Sequence, residues 1–257
     1  MIERLNKNTS GSKIYFASDF HLGVPDDKSS REREKKIVRW LDAIQEDAEA
    51  LYLMGDVFDF WFEYKRSVPK GYTRLLGKLA LMADQGVDIV YFTGNHDLWT
   101  FGYLQDEIGA EVHYKAIIRD LKGKKFYLAH GDGLGPGDHG YKFLKKIFTN
   151  RFCQWMFGKL HPNFGIWLAN YFSSTSRNSQ DEEATEFLGE DKEFLVQHAK
   201  AILQESDINY FIFGHRHYAI KISLNGNSSY INLGDWIQND TYAVFDGDKL
   251  ELKTYEE

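Results

Sequence analysis

Five short clusters of carboxylate, amide and imidazole groups punctuate the chain: Asp19-Phe20-His21, Gly55-Asp56, Gly94-Asn95-His96-Asp97, His130-Gly131 and Gly214-His215-Arg216-His217. Each follows a mostly apolar run, at 14–17, 51–54, 88–92, 125–129 and 207–213, that reads as a buried strand. Side chains at i and i+2 of an extended chain project to the same side, so Asp19 with His21, and His215 with His217, can each grip one ion. Carboxylates and imidazoles suit borderline divalent cations such as Mn, Fe or Zn, and the lack of cysteine ligands argues against a structural zinc site. Asp19, His21, Asp56, Asn95, His130, His215 and His217 are too many ligands for one ion with an open position. Two ions sharing one carboxylate, about 3.5–4 Å apart, fit better. Any single cluster is compatible with a turn or a helix cap; the repetition points to metal. His113, His139, His161 and His198 lack such a context and read as surface or core histidines.

The elements that position these groups alternate. After a loose polar arm over 1–12 and the first strand, Ile37, Leu41, Ile44 and Ala48 recur on one helical face. The spacing predicts further helices over 72–84, 101–108 and 181–204. Residues 218–255 alternate apolar and polar around Asn225-Gly226 and Asp246-Gly247, the pattern of antiparallel hairpins. A layered α/β sandwich in one domain over 1–257 is expected. Residues 141–172 differ in composition, with ten aromatics, five Lys or Arg and no Asp or Glu. They predict an inserted helical cap at about 139–180. That cap is either an amphipathic helical pair packed on the core or a hydrophobic, cationic surface for acyl chains or an anionic bilayer.

A formal net charge of −7 over 257 residues argues against a general nucleic-acid-binding surface. The single cysteine, Cys153, excludes an intrachain disulfide and fits a reducing compartment. The first 13 residues have no apolar core of a signal peptide, and no run of 18 apolar residues exists. A cytoplasmic protein is expected.

Together these motifs resemble the calcineurin-like metallophosphoesterases. The resemblance implies a four-layer αββα sandwich, with one ion on Asp19, His21, Asp56 and His217 and another on Asp56, Asn95, His130 and His215, most commonly Mn2+. The stretches Ser18-Asp-Phe-His-Leu, Gly55-Asp-Val-Phe-Asp-Phe-Trp, His130-Gly-Asp-Gly-Leu and Leu233-Gly-Asp-Trp are similar to one branch of that family. It cleaves the diphosphate of UDP-2,3-diacylglucosamine, a lipid-linked nucleotide sugar of lipid A biosynthesis, and also carries a helical insertion. The resemblance implies peripheral contact with the cytoplasmic face of the inner membrane through the cap. It places Asn95, His96, Asp138, Tyr141, Ser176, Arg177 and His215 near the substrate. Well-known members of the branch carry Arg where this chain has His96, the residue of the wider family.

In that chemistry two cations bring the pKa of a water toward neutrality for in-line attack on phosphorus. His96, held by Asp97, contacts the phosphoryl oxygens or protonates the leaving group, with Asp97 as its orienter. Asp59 is either a partner of a ligand histidine or part of a packing edge with Phe60 and Trp61. Two rival readings stand beside this one. The first is a phosphoesterase for another nucleotide sugar, lipid pyrophosphate or phosphodiester. The second is a metal-free scaffold on the same fold, which the full set of seven competent ligand types disfavours.

Overall fold

The computed structural model describes residues 12–137, 139–169 and 187–256. Its first sheet has six strands in the order β11-β10-β1-β2-β3-β4: β1 (Lys13–Ala17), β2 (Ala48–Leu53), β3 (Asp88–Phe92), β4 (Glu111–His113), β10 (Thr241–Phe245) and β11 (Leu250–Thr254). Its second sheet has five in the order β5-β6-β7-β9-β8: β5 (Ile117–Leu121), β6 (Lys124–Leu128), β7 (Tyr210–Phe213), β8 (Ala219–Ser223) and β9 (Ser229–Leu233). β1, β2 and β3 run parallel, as do β6, β7 and β9.

Strand alternation divides the core into three layers. Tyr15, Ala17, Leu51, Leu53, Ile89 and Tyr91 face helices α1 (Asp27–Ile44) and α2 (Thr73–Asp84). Ile14, Phe16, Tyr52, Val90 and Phe92 point the other way and meet Phe126, Leu128, Ile212 and Ile231 of the second sheet. On that sheet's far side Tyr127, Phe211, Phe213 and Tyr230 pack on Leu195, Val196 and Ala199. These three belong to the last helix of the sandwich, Phe194–Leu203. The result is an αββα sandwich. The central strands are buried on both faces, which is why they read as apolar runs.

The hairpins at 225–226 and 246–247 join β8 to β9 and β10 to β11, one in each sheet. Several bounds differ from the sequence reading. Ala48 opens β2 and does not close α1, because the helix ends at Ile44. The helix expected over 101–108 is a short π-helical turn, Leu104–Ile108. β4 is too short, and β5 too polar, to announce itself. The helix expected from 181 begins at Phe194 after an irregular 187–193, while 181–186 lie outside the described residues, as do 1–11. Between β6 and β7 lie α3 (His139–Phe148), α4 (Arg151–Phe157) and a helical stretch at 162–169.

α2 begins without a cap of its own, since Tyr72 has a left-handed φ of 57° and makes no side-chain capping bond. Glu34 of α1, buried, supplies it: its Oε1 accepts from the N–H groups of Arg74 at 2.9 Å and Leu75 at 3.2 Å. These are charge-assisted bonds to otherwise orphaned donors. Glu34→Ala is expected to cost about 2 kcal/mol, lowering the melting temperature by roughly 4–8 °C in calorimetry; Glu34→Gln, which keeps the acceptor, loses less than half as much.

Candidate metal centre

The carboxyl ends of the two parallel strand sets face one another, the usual place for a site in open α/β sheets. The loops beyond them hydrogen-bond across the gap. His215 N–H donates to Asp19 Oδ2 at 3.0 Å and Trp236 N–H to Asp19 O at 3.1 Å, while His130 Nδ1 lies 2.8 Å from Met54 O. Glycines permit this approach. A Cβ on Gly55, whose φ is +98°, would lie 2.5 Å from His130 Nδ1, and one on Gly214 would lie 2.5 Å from Asp19 Oδ2. A Cβ on Gly94 would overlap the Asp56 carboxylate. Asp19, His21, Asp56 and His215 themselves hold left-handed φ values of 54°, 43°, 52° and 67°. Each costs on the order of 1–3 kcal/mol, strain that surrounding structure must impose.

Three groups of donors result: Asp19 with His21 and His217, Asp56 with His130 and His215, and, sharing His21 with the first, His21 with Asp59 and His96. Asp19 Oδ1 lies 3.7 Å from His21 Nε2 and 3.5 Å from His217 Nε2. Those two imidazole nitrogens are 3.2 Å apart. Asp56 Oδ2 lies 3.2 Å from His130 Nε2 and 3.9 Å from His21 Nε2, so it stands between the first two groups. Asn95 Oδ1 completes the second, 3.2 Å from His130 Nε2 and 3.0 Å from His215 Nδ1. Asp19 Oδ1 is fully buried and has no hydrogen-bond partner. An orphaned carboxylate oxygen facing two imidazole lone pairs is the donor set of a divalent cation, so the residues fit a metal.

A family model for calcineurin-like phosphoesterases matches residues 12–219. The chain belongs to that family. The UDP-2,3-diacylglucosamine hydrolase of Porphyromonas gingivalis is 38% identical over 258 residues, covering 96% of this chain and 98% of its own. The Histophilus somni protein of the same name is 26% identical, covering 87% and 92%. Among solved structures, Yfce, a phosphoesterase from E. coli, is 16% identical with a TM-score of 0.46, covering 94% of this chain and 92% of that one.

In this calcineurin-like phosphoesterase a second ring of contacts fixes the donors. His130 Nδ1 meets Met54 O at 2.8 Å, which puts its proton there and turns the Nε2 lone pair toward Asp56. His21 Nδ1 lies 3.4 Å from Asp59 Oδ1, and His217 Nδ1 lies 3.7 Å from Asp235 Oδ2. Asp59 is therefore a partner of His21, while Phe60 and Trp61 pack against aromatic neighbours, Trp99 and Phe58. Asp97 does not orient His96. It is fully buried, and its carboxylate accepts from Tyr91 Oη at 2.5 Å, Val57 N at 2.9 Å and Gly94 N at 2.7 Å. Those bonds tie the Asp56 and Asn95 loops together. The His96 ring is held by Asp59: its Nδ1 meets the Asp59 carbonyl at 2.9 Å and lies 3.6 Å from Oδ1. The residue after a histidine is the obvious partner in a sequence, and here the chain turn sends its side chain the other way.

Charge and burial set the protonation states. Burial opposes ionisation of Asp19 and Asp56, yet the surrounding imidazoles hold both carboxyls well below the usual range. Burial likewise opposes protonation of His21 and His130. The adjacent Asp19 and Asp59 carboxylates push His21 up to about 10, and the charge of Asp56 pushes His130 up to about 10. Burial, with the charge of His130, lowers His215 to about 4. Burial and the charge of Asp56 raise Asp97 to about 6, opposed by the Tyr91 hydroxyl.

A cleft of about 1230 Å³ leads from His130 and Asp132 to α3, with Phe101, Leu134, Lys142 and Lys146 among its walls. Asp132, which sequence reading passed over, anchors α3. It accepts from Tyr141 Oη and, at 2.6 Å, from Lys145 Nζ. The Tyr141 hydroxyl is thus engaged by Asp132, which itself lines the cleft. Asp138, Ser176 and Arg177 lie outside the described residues. Asp132 and Asp235 each follow a strand and a glycine, the same signal that marks Asp56. α3 and α4 bury none of their described side chains. Phe143, Phe152, Trp155 and Trp167 are more than half exposed.

A chelator-stripped protein is expected to show the linkage of these shifts. The raised His21 and His130 contribute stability that is complete below about pH 6.5 and is lost as pH rises toward 10. The melting temperature should fall over that window without metal and hold when Mn2+ replaces the protons, as followed by scanning fluorimetry.

Proposed function

We propose that this chain hydrolyses the diphosphate of UDP-2,3-diacylglucosamine to UMP and 2,3-diacylglucosamine 1-phosphate. It is a metal-dependent hydrolase of the calcineurin-like family. The observation that carries the substrate is the near full-length likeness to the P. gingivalis enzyme of that activity. The cleft that runs from the metal donors to an aromatic, cationic helix pair supports it. A diphosphate at the donors and two acyl chains along α3 and α4 would use both halves of such a cleft.

Asp19, His21, Asp56 and His217 would hold one divalent cation, and Asp56, Asn95, His130 and His215 the other. Mn2+ is the cation we favour, since the donors are oxygen and imidazole without sulfur. When bound, such ions supply an acidified water and neutralise charge on the phosphoryl oxygens. His96 has its Nδ1 proton committed to the Asp59 carbonyl, so Nε2 can donate only from the imidazolium form. In that form it stabilises a phosphoryl oxygen or protonates the leaving oxygen. Asp97 acts as a positioning residue beneath Asp56 and Asn95. In this reading Asn95, His215, Tyr141, Asp138, Ser176 and Arg177 would make the substrate contacts.

We read residues 1–257 as one catalytic domain whose insertion at about 139–180 is a cap. Among the described residues no helix is long and apolar enough to cross a membrane. The exposed aromatics of α3 and α4 with Lys142, Lys145, Lys146 and Arg151 form an amphipathic face suited to the anionic cytoplasmic surface of the inner membrane. No nucleic-acid partner is proposed.

Incubation with UDP-2,3-diacylglucosamine and Mn2+ should release UMP; turnover of another nucleotide sugar or lipid pyrophosphate in its place would overturn the substrate. His96→Ala should lower kcat by about 10²–10⁴ with two metals per chain retained in elemental analysis, whereas Asp56→Ala should lose both. Trp155→Ser with Trp167→Ser should raise KM for the acylated substrate and leave hydrolysis of bis(p-nitrophenyl) phosphate unchanged.

A further inference from the structure

Arg216 sits between the two histidines of the turn after β7, and its side chain faces away from theirs. The guanidinium is 9% exposed and lies 3.0 Å from Oε1 of Glu193, whose side chain is 1% exposed. It also stacks over the Tyr218 ring, 5.2 Å from the centroid. Desolvating such a pair costs several kcal/mol per ion, so an apolar pair of similar volume would stabilise the fold at least as well. What an ion pair with a planar fork provides in its place is a defined position.

Glu193 belongs to the segment that brings the chain back from the inserted helices to the helix Phe194–Leu203. That segment touches the turn at successive points. The Phe187 ring lies 5.7 Å from that of Tyr218, and the Phe194 ring 6.3 Å from that of His215. Glu193 Oε1 also accepts from Leu188 N–H at 2.9 Å, so the carboxylate gathers its own loop before it meets Arg216. The turn it meets is tight. His215 has a left-handed φ of 67°, and Arg216 N–H donates back to Gly214 O at 2.7 Å. A side chain fixed at the middle residue of so short a turn sets the direction of the residues on both sides.

We propose that the Glu193–Arg216 pair is a positioning device that braces the His215–His217 turn against the segment returning from the inserted helices. This rests on the reading that His215 and His217 hold metal. The pair acts on the donors through the two imidazoles that flank Arg216. Docking of the insertion and the geometry of the metal donors thereby become one coupled arrangement.

The test is Mn2+ titration calorimetry on the chelator-stripped full chain, with melting temperature and bis(p-nitrophenyl) phosphate hydrolysis measured alongside. Glu193→Gln and Arg216→Met should each lower the melting temperature and weaken Mn2+ binding by about tenfold or more. The double variant leaves no uncompensated charge, so it should recover melting temperature without recovering affinity. Arg216→Lys, which keeps a cation opposite Glu193, should restore part of the affinity. A double variant that binds Mn2+ within about twofold of the wild type overturns the brace and leaves the pair a purely structural contact. That criterion holds if the single variants do not fold. A wild-type chain that binds no Mn2+ overturns the metal reading itself, and the brace with it.

Discussion

Two carboxylates held out of water at the meeting edge of two sheets are the constraint on which the rest of the structure depends. Asp19 and Asp56 are almost completely buried, and a buried carboxylate is tolerated only when cations or donors surround it. The imidazoles of His21, His96, His130, His215 and His217 and the backbone N–H groups of His96 and His215 answer most of that requirement, and one oxygen of Asp19 is left orphaned. The metal ions of this family are the natural completion of such a cluster, because protons alone leave like-charged imidazoles crowded together. His215, depressed by burial and by the charge of His130, registers that crowding.

The scaffold is arranged to bear this cost. Parallel strands in both sheets deliver their carboxyl ends to one line, and the three-layer core behind them is apolar and closely interleaved. Four donor residues sit in left-handed backbone, and three glycines allow loop to touch loop. None of these features would stabilise the fold for its own sake. Their clustering at one edge is the mark of strain stored at a functional site and compensated by the core.

The helices α3 and α4 follow a different logic. They bury none of their described side chains, carry no acidic residue between 141 and 169, and are moored by Asp132 at one end. Exposed Trp and Phe beside Lys and Arg make a surface that is both apolar and cationic. An acylated phosphate ester answers both, and so does an anionic lipid surface. The segment at 187–194, which follows that region in the chain, meets the turn of His215 and His217 through Glu193 and Phe194.

Much of this was legible in the residues alone. Apolar runs buried on both faces, each ending in a polar cluster, defined the strands and the donors, because a strand between two layers has no polar face to confuse the pattern. The hairpins at Asn225-Gly226 and Asp246-Gly247 were equally plain. The short strands β4 and β5, and the delayed start of the helix at Phe194, were not, since local pattern weakens where edge position or tertiary contact decides. At the site, sequence picked out residues that the structure brings together, but it misassigned the support of His96. Asp97 is adjacent in the chain, yet Asp59, thirty-seven residues away, holds the ring. The same holds for Glu34 capping α2 and for Arg216 reaching Glu193. Residue type and spacing determine which groups reach an edge; which of them touch is decided only when separate loops are folded against one another.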